Sequence, residues 1–325
     1  MNHDSSISSP QMGIGLVFPG QGSQSVGMGK AFYDAVPAAR AVFDQASQVL
    51  GYDAAALCFE GPVERLNLTE FTQPALLTAS IAALRALEPL GLRPTAVAGH
   101  SLGEYSALVA AGGCTFEAGL ALVQKRGRYM SEAVPPGSGL VAAVLGATAE
   151  TVREVCEQAA ATGMVKAANF NSPGQIVIAG VKAAVEQAIQ LLKAKGHKAI
   201  PLPVSVPVHT PLMQPAADRL AKDIEATAGR DLAAPLVNNA EAKPLQQWGD
   251  VKRSLVRQLP SSVRWEESVK AMQGLGVTTF IEVGPGTVLS GLIRRIIPGA
   301  VTLNVNDPKS LDATIEKLKA EGQQV

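Results

Sequence analysis

The chain has 325 residues, 47% apolar and 17% charged, which excludes a disordered chain and by length points to one large domain with a smaller one. Lys plus Arg and Asp plus Glu each number 28, so the net charge is zero and the basic excess of a nucleic-acid binder is missing. Three scattered cysteines, Cys58, Cys114 and Cys156, form neither a disulfide framework nor a metal-ligand spacing and read as reduced thiols filling cores.

Residues 1–12 are polar and Ser-rich, lack the apolar stretch of a secretory signal, and read as a loose tail. No apolar run reaches the length of a bilayer span, so no membrane partner and a cytoplasmic location are expected. The apolar run 14–18, ended by Pro19-Gly20, predicts a buried first strand followed by a loop. Apolar spacing predicts a helix over 72–90 with Pro74 near its start, and a central strand over 95–99. Residues 101–111 turn helical, with Leu102, Tyr105, Leu108 and Val109 on one face, and 117–130 form another amphipathic helix. Strand and helix in alternation predict an α/β fold, a parallel sheet flanked by helices, with ligands at the carboxyl ends of its strands.

The middle of the chain changes character. A strand is expected over 140–145, then a helix over 149–160 opened by Thr148. Strands 164–169 and 175–179 flank the turn signal Asn171-Ser172-Pro173-Gly174, a helix follows over 181–195, closed by Gly196, and a last strand over 197–206 is interrupted by prolines. That β-α-β-β-α-β order is a ferredoxin-like unit. After Pro207 the larger domain resumes: a helix over 211–226, a strand end at 236–239, a strand over 279–283 meeting the turn Gly284-Pro285-Gly286, and a helix from Thr287. The expected division is a tail (1–12), a large α/β subdomain (13–136 and 207–325), and an inserted ferredoxin-like subdomain (137–206).

Gly99-His100-Ser101-Leu102-Gly103 fits the nucleophile elbow G-x-S-x-G. A serine between strand and helix sits in a strained turn with its hydroxyl exposed, and the glycines let the backbone turn without a Cβ clash. The free N–H groups of the following helix point at the site, so the Leu102 N–H can donate to an oxyanion. The competing reading is a helix-capping serine. Of four histidines, His3 lies in the tail and His197 follows a helix end, whereas His100 adjoins the serine at the site edge. His209 follows the last strand of the insert, returns the chain to the large domain, and is the candidate base. An α/β-hydrolase would order Ser, then Asp or Glu, then His, but no aspartate lies between Ser101 and His209. A backbone carbonyl accepting from the other imidazole nitrogen would fix the tautomer equally well. Arg126 is a candidate clamp for a substrate carboxylate, against the plainer reading of a solvated helix end with Lys125 and Arg128. Gln21 could supply a second oxyanion N–H; the alternative of a phosphate loop lacks its Lys-Ser/Thr ending.

In chain order these pieces are Phe18-Pro19-Gly20-Gln21-Gly22-Ser23-Gln24, Gly99-His100-Ser101-Leu102-Gly103-Glu104-Tyr105-Ser106-Ala107, Arg126-Gly127 with Met130, and Asn169-Phe170-Asn171-Ser172-Pro173-Gly174-Gln175. His209 with Met213, Asn238-Asn239, Val263-Arg264-Trp265 and Glu282-Val283-Gly284-Pro285-Gly286 complete the series. The ordered set resembles the malonyl-CoA:acyl carrier protein transacylases of bacterial fatty acid synthesis over nearly the whole chain after the tail. The resemblance implies a hydrolase-like core, ping-pong malonyl transfer, malonyl-CoA and acyl carrier protein as partners, a monomer, and no cofactor beyond the coenzyme A thioester that serves as substrate. It implies Ser101 as the acylated nucleophile, His209 as base, Arg126 as carboxylate clamp, and the N–H groups of Gln21 and Leu102 as oxyanion hole. It also implies the Arg264 carbonyl as the group that orients the histidine. Val208, just before the histidine, departs from the Ser or Phe frequent in the family, where this position tracks acyl choice. A serine thioesterase, a carrier-docking subunit without catalysis, and a transacylase serving polyketide synthesis or malonate decarboxylation are the rival readings.

Overall fold

Residues along strand β1 (Gly13–Phe18) alternate between two apolar cores: Ile14, Leu16 and Phe18 face one, Val17 the other. Strand β2 (Ala96–Gly99) does the same, with Val97 on one side and Ala96 and Ala98 on the other. A strand buried on both faces belongs to a parallel sheet covered by helices on both sides. The computed structural model, which describes residues 13–204 and 206–323, shows that sheet. Besides β1 and β2 it contains β7 (Leu236–Val237), β8 (Pro244–Leu245), β9 (Val277–Val283) and β10 (Val301–Val305), in the order β10-β9-β1-β2-β7-β8. All pairs are parallel except the short β7–β8 edge.

A second, antiparallel sheet contains β3 (Gly139–Leu145), β4 (Val165–Ser172), β5 (Gln175–Val181) and β6 (Lys198–Pro201), in the order β4-β5-β3-β6. Helices Ala149–Ala159 and Lys182–Ala194 sit between its strands in the chain and pack on one face. The first is opened by Thr148, whose hydroxyl accepts from the Thr151 N–H. The other face carries Val141, Ala168, Val177 and Ala179, joined by Leu202, Val204 and Val208. That apolar face looks towards the large sheet.

Four parallel strands deliver their carboxyl ends to one place: β1 ends at Phe18 before Pro19-Gly20-Gln21, β2 at Gly99 before Ser101, β7 at Val237 before Asn238-Asn239, and β9 at Val283 before Gly284. The loops there approach closely. A Cβ on Gly99 would meet the Gly103 carbonyl at 1.9 Å, and one on Gly103 would meet the Phe18 oxygen at 2.1 Å.

Several boundaries differ from the sequence reading. The predicted strand 197–206 shortens to β6, because Pro201, Pro203 and Pro207 have no N–H to extend a ladder. The helix expected from residue 72 begins at Thr69 and holds Pro74 inside it (Thr69–Leu87). Helices Trp248–Gln258, Trp265–Gly274 and Pro308–Ala320, and strand β10, are additional elements. The buried face of Trp248–Gln258 is Val251, Ser254, Leu255 and Gln258, half of it polar, so apolar periodicity does not reveal it. The expected tail and His3 lie outside the described residues. Cys58, Cys114 and Cys156 are all free and buried. Among the described residues no helix is long and apolar enough to cross a membrane.

Candidate active site

Ser101 sits between β2 and helix Gly103–Ala110 with φ 52°, a left-handed conformation that costs a residue with a side chain on the order of 1–3 kcal/mol. Asn239 holds it there. Its Oδ1 accepts from the Ser101 N–H at 2.7 Å, and its Nδ2 donates to the Gly99 carbonyl at 2.7 Å, bracketing the elbow. The Ser101 carbonyl accepts from Gln258 Nε2 at 2.9 Å.

His209 is 2% exposed and also left-handed, at φ 58°. Its Nε2 lies 2.7 Å from Ser101 Oγ and its Nδ1 lies 3.1 Å from the Gln258 carbonyl oxygen. A carbonyl can only accept, so Nδ1 carries the proton and Nε2 is free to take one from the serine. Burial, reinforced by the Arg126 charge, drives the imidazole down to about 3, which keeps it neutral across the physiological range.

The carbonyl that orients His209 therefore belongs to Gln258, and the expectation for Arg264 is corrected. The Arg264 carbonyl accepts from Ser268 Oγ at 3.0 Å and its N–H donates to the Asn239 carbonyl at 2.9 Å, so its backbone is committed to capping its own helix and bracing Asn239.

Arg126 is 1% exposed. Its Nη1 donates to Gln73 Oε1 at 2.6 Å, and its Nη2 to Gln258 Oε1 at 3.0 Å and Ser101 Oγ at 3.2 Å. The guanidinium lies over the Tyr105 ring, 5.5 Å from its centroid. Burial works against the charge, yet all its hydrogen-bond acceptors among the described residues are neutral. The plainer reading of a solvated helix end is thereby overturned for Arg126. Gly127 explains how it gets in: a Cβ there would meet the Thr69 oxygen at 2.8 Å, so glycine lets helix Phe116–Glu132 press against helix Thr69–Leu87.

Around these groups lies a cavity of about 200 Å³, walled on one side by Gln21, His100 and Leu102 and on the other by Val177 of the smaller sheet, with Leu202 and Val208 packed against that sheet's face. The backbone N–H groups of Gln21 and Leu102 have no protein acceptor among the described residues. Such N–H groups beside a nucleophile can receive a developing oxyanion. His100 borders the same cavity, with Nε2 2.8 Å from Asn171 Oδ1 and its ring edge-on to Trp265.

A family model described as acyl transferase domain matches residues 16–305. The chain is 47% identical over 310 residues to the malonyl CoA-acyl carrier protein transacylase of Bacillus subtilis (strain 168), covering 95% of this chain and 98% of that one. The chain belongs to the acyl transferase family, on its malonyl CoA-acyl carrier protein transacylase branch. Among solved structures, an acyl-carrier-protein S-malonyltransferase from Burkholderia pseudomallei 1710b superposes with TM-score 0.91 at 48% identity, over 94% of this chain and 100% of that one. A malonyl-transacylase solved in complex with a type II PKS acyl-carrier protein superposes with TM-score 0.92 at 46% identity, over 94% and 99%.

Within this family frame, the structure gathers Ser101, His209, Arg126, Gln21, Leu102 and His100 around one cavity and leaves Arg264 outside it. Sequence reasoning missed Gln73 and Gln258 and assigned Glu104 and Asn239 no task. Asn239 follows a strand end and Glu104 follows the elbow, which are usable signals. Gln258 had none, being a glutamine on a polar-looking helix.

Proposed function

We propose that this chain moves a malonyl group from malonyl-CoA to the phosphopantetheine thiol of an acyl carrier protein, through a malonyl ester on Ser101. The observation that carries the reading is a buried guanidinium with no carboxylate partner among the described residues, 3.2 Å from the hydroxyl of a Ser–His pair. A cation so placed is complementary to an acyl group that ends in a carboxylate.

In the first half-reaction, His209 Nε2 takes the Ser101 Oγ proton as the oxygen attacks the thioester carbonyl. The oxyanion rests on the N–H groups of Gln21 and Leu102, and the imidazolium holds the serine's proton on Nε2 while its Nδ1–H goes on donating to the Gln258 carbonyl. Collapse breaks the C–S bond, and the departing thiolate takes the proton from Nε2. The carrier's thiol then repeats the sequence in reverse, with His209 accepting its proton and Ser101 Oγ recovering one. The segment 137–206 is the inserted subdomain whose apolar face closes the acyl cavity over the large subdomain. A cytoplasmic location fits three free, buried cysteines.

Intact mass after brief incubation with malonyl-CoA tests the reading. The parent chain gains one malonyl mass, Ser101→Ala gains none, and added holo-carrier protein removes the label and acquires it. An unlabelled parent that releases free malonate without any acceptor would show a thioesterase instead.

A further inference from the structure

The mechanism makes no use of Glu104, a buried carboxyl beside the elbow. Glu104, the third residue after the nucleophile, is 0% exposed. Its Oε2 accepts from Gln258 Nε2 at 2.8 Å and from the Asn239 backbone N–H at 2.9 Å. Its other oxygen, Oε1, is buried with no hydrogen-bond partner among the described residues. Asn239 and Gln258 are the two residues on which the site's geometry hangs. Asn239 brackets the elbow at Ser101 N and Gly99 O. Gln258 holds three things at once: the Ser101 carbonyl through Nε2, Arg126 through Oε1, and His209 Nδ1 through its main-chain oxygen.

The Gln258 amide can be oriented in two ways. Only one lets Oε1 accept from Arg126 Nη2, and in that orientation Nε2 must find acceptors. Glu104 Oε2 and the Ser101 carbonyl are those acceptors. A flipped amide would turn a donor towards the guanidinium, which can only donate. The Glu104 oxygen and the Ser101 carbonyl together therefore select the orientation that grips Arg126.

We propose that Glu104 is a positioning residue for acyl transfer, whose single Oε2 atom fixes the Gln258 amide and the Asn239 backbone and through them sets nucleophile, base and clamp together. This inference rests on the acyl-transfer reading given above. Among the described residues it makes no hydrogen bond to Ser101 Oγ or to the imidazole, and its hydrogen bonds run to the two amides. Its charge is secondary. Burial pushes the carboxyl up to about 7, so near neutrality a large share is already uncharged. Acceptor geometry is then what the site needs. A site misplaced by about 1 Å loses on the order of 100-fold in rate, which sets the scale of the expected loss.

The experiment compares Glu104→Gln, Glu104→Leu and Glu104→Asp in single-turnover acylation of Ser101 by malonyl-CoA and by acetyl-CoA. Glutamine keeps one oxygen at the Oε2 position and removes the charge. Leucine keeps the approximate volume and removes the acceptor. Aspartate keeps the charge but withdraws the oxygens by about 1.5 Å, the length of one carbon–carbon bond. Glu104→Gln is expected to acylate within about threefold of the parent. Glu104→Leu, folded by a cooperative melt, is expected to lose about 100-fold with malonyl-CoA and about 10-fold in malonyl-over-acetyl preference, since the grip on Arg126 loosens. Glu104→Asp is expected to lose at least about 10-fold by the same displacement, and it carries the test if the leucine variant does not fold. A folded leucine or aspartate variant at the parental rate overturns the proposal, as does a glutamine variant as slow as leucine. A parent chain that malonyl-CoA never labels fails the acyl-transfer reading itself, whereas a labelled parent with indifferent Glu104 variants fails this role alone.

Discussion

Replacing Arg126 by alanine separates what the guanidinium does for a carboxylate-bearing acyl group from what it does for the fold. In the structure it is 1% exposed and rests on two neutral amide oxygens, at 2.6 and 3.0 Å. A malonyl carboxylate accepting from it gains charge-assisted hydrogen bonds, each about 1.5–3 kcal/mol. With two such bonds made, one existing bond from the guanidinium to an amide must be given up to make room, and losing it costs about 1.5 kcal/mol. The surplus is about 3 kcal/mol, or on the order of 100-fold in kcat/KM, present for malonyl-CoA and absent for acetyl-CoA. Arg126→Ala should therefore lower kcat/KM for malonyl-CoA by about 100-fold while acetyl-CoA is unaffected or faster, because the neutral methyl no longer faces an unmatched cation. Arg126→Lys, which keeps the charge but not the fork, should fall between. The assay is single-turnover labelling of Ser101 followed by intact mass, with both thioesters on the same protein preparation. An Arg126→Ala variant that melts cooperatively and keeps the parental malonyl-to-acetyl ratio would refute the clamp, whatever its absolute rate.

Three further outcomes follow from the same geometry. Because burial holds His209 near 3, Ser101 acylation should change by less than about threefold between pH 5.5 and 8, and a fall centred near 6.5 would mean an ordinarily solvated histidine. Asn239→Ala removes both side-chain bonds that bracket the elbow; the acylation rate should drop by about 100-fold, whereas a folded variant at full rate would show that the strained turn holds itself. Glu104 has a folded-state value raised to about 7 against an ordinary 4.5, so the native chain holds a proton there that the unfolded chain releases. Its contribution to stability is complete below 4.5 and is lost as pH rises to 7, by on the order of 3 kcal/mol. Urea titrations at pH 5 and 8 should show that slope missing from Glu104→Gln, and parallel slopes in the two chains would contradict it.

Much of this protein is readable in the sequence because the decisive signals are local. An apolar run, an elbow and an amphipathic helix occupy adjacent residues, so Gly99-His100-Ser101-Leu102-Gly103 announces its strand-to-helix turn unaided. The β-α-β-β-α-β order of the smaller sheet is likewise written in short-range periodicity and caps such as Thr148. Elements whose buried face is half polar, such as Trp248–Gln258, carry no such signal.

What only the tertiary structure decided is which polar group meets which. His209 finds its acceptor 49 residues away at Gln258, Ser101 its bracket 138 residues away at Asn239, and Glu104 its donor 154 residues away at Gln258. Arg264 was the expected partner of His209 because it stands in a family-like motif, but its carbonyl is spent within its own helix. Arg126 could equally have faced solvent, until the contact at Gly127 drew its helix against Thr69–Leu87 and buried the charge. Sequence periodicity reports which face of an element is apolar, over three or four residues. A buried hydrogen bond depends instead on how separate elements cross, because the geometry it demands is satisfied within a few tenths of an ångström or not at all.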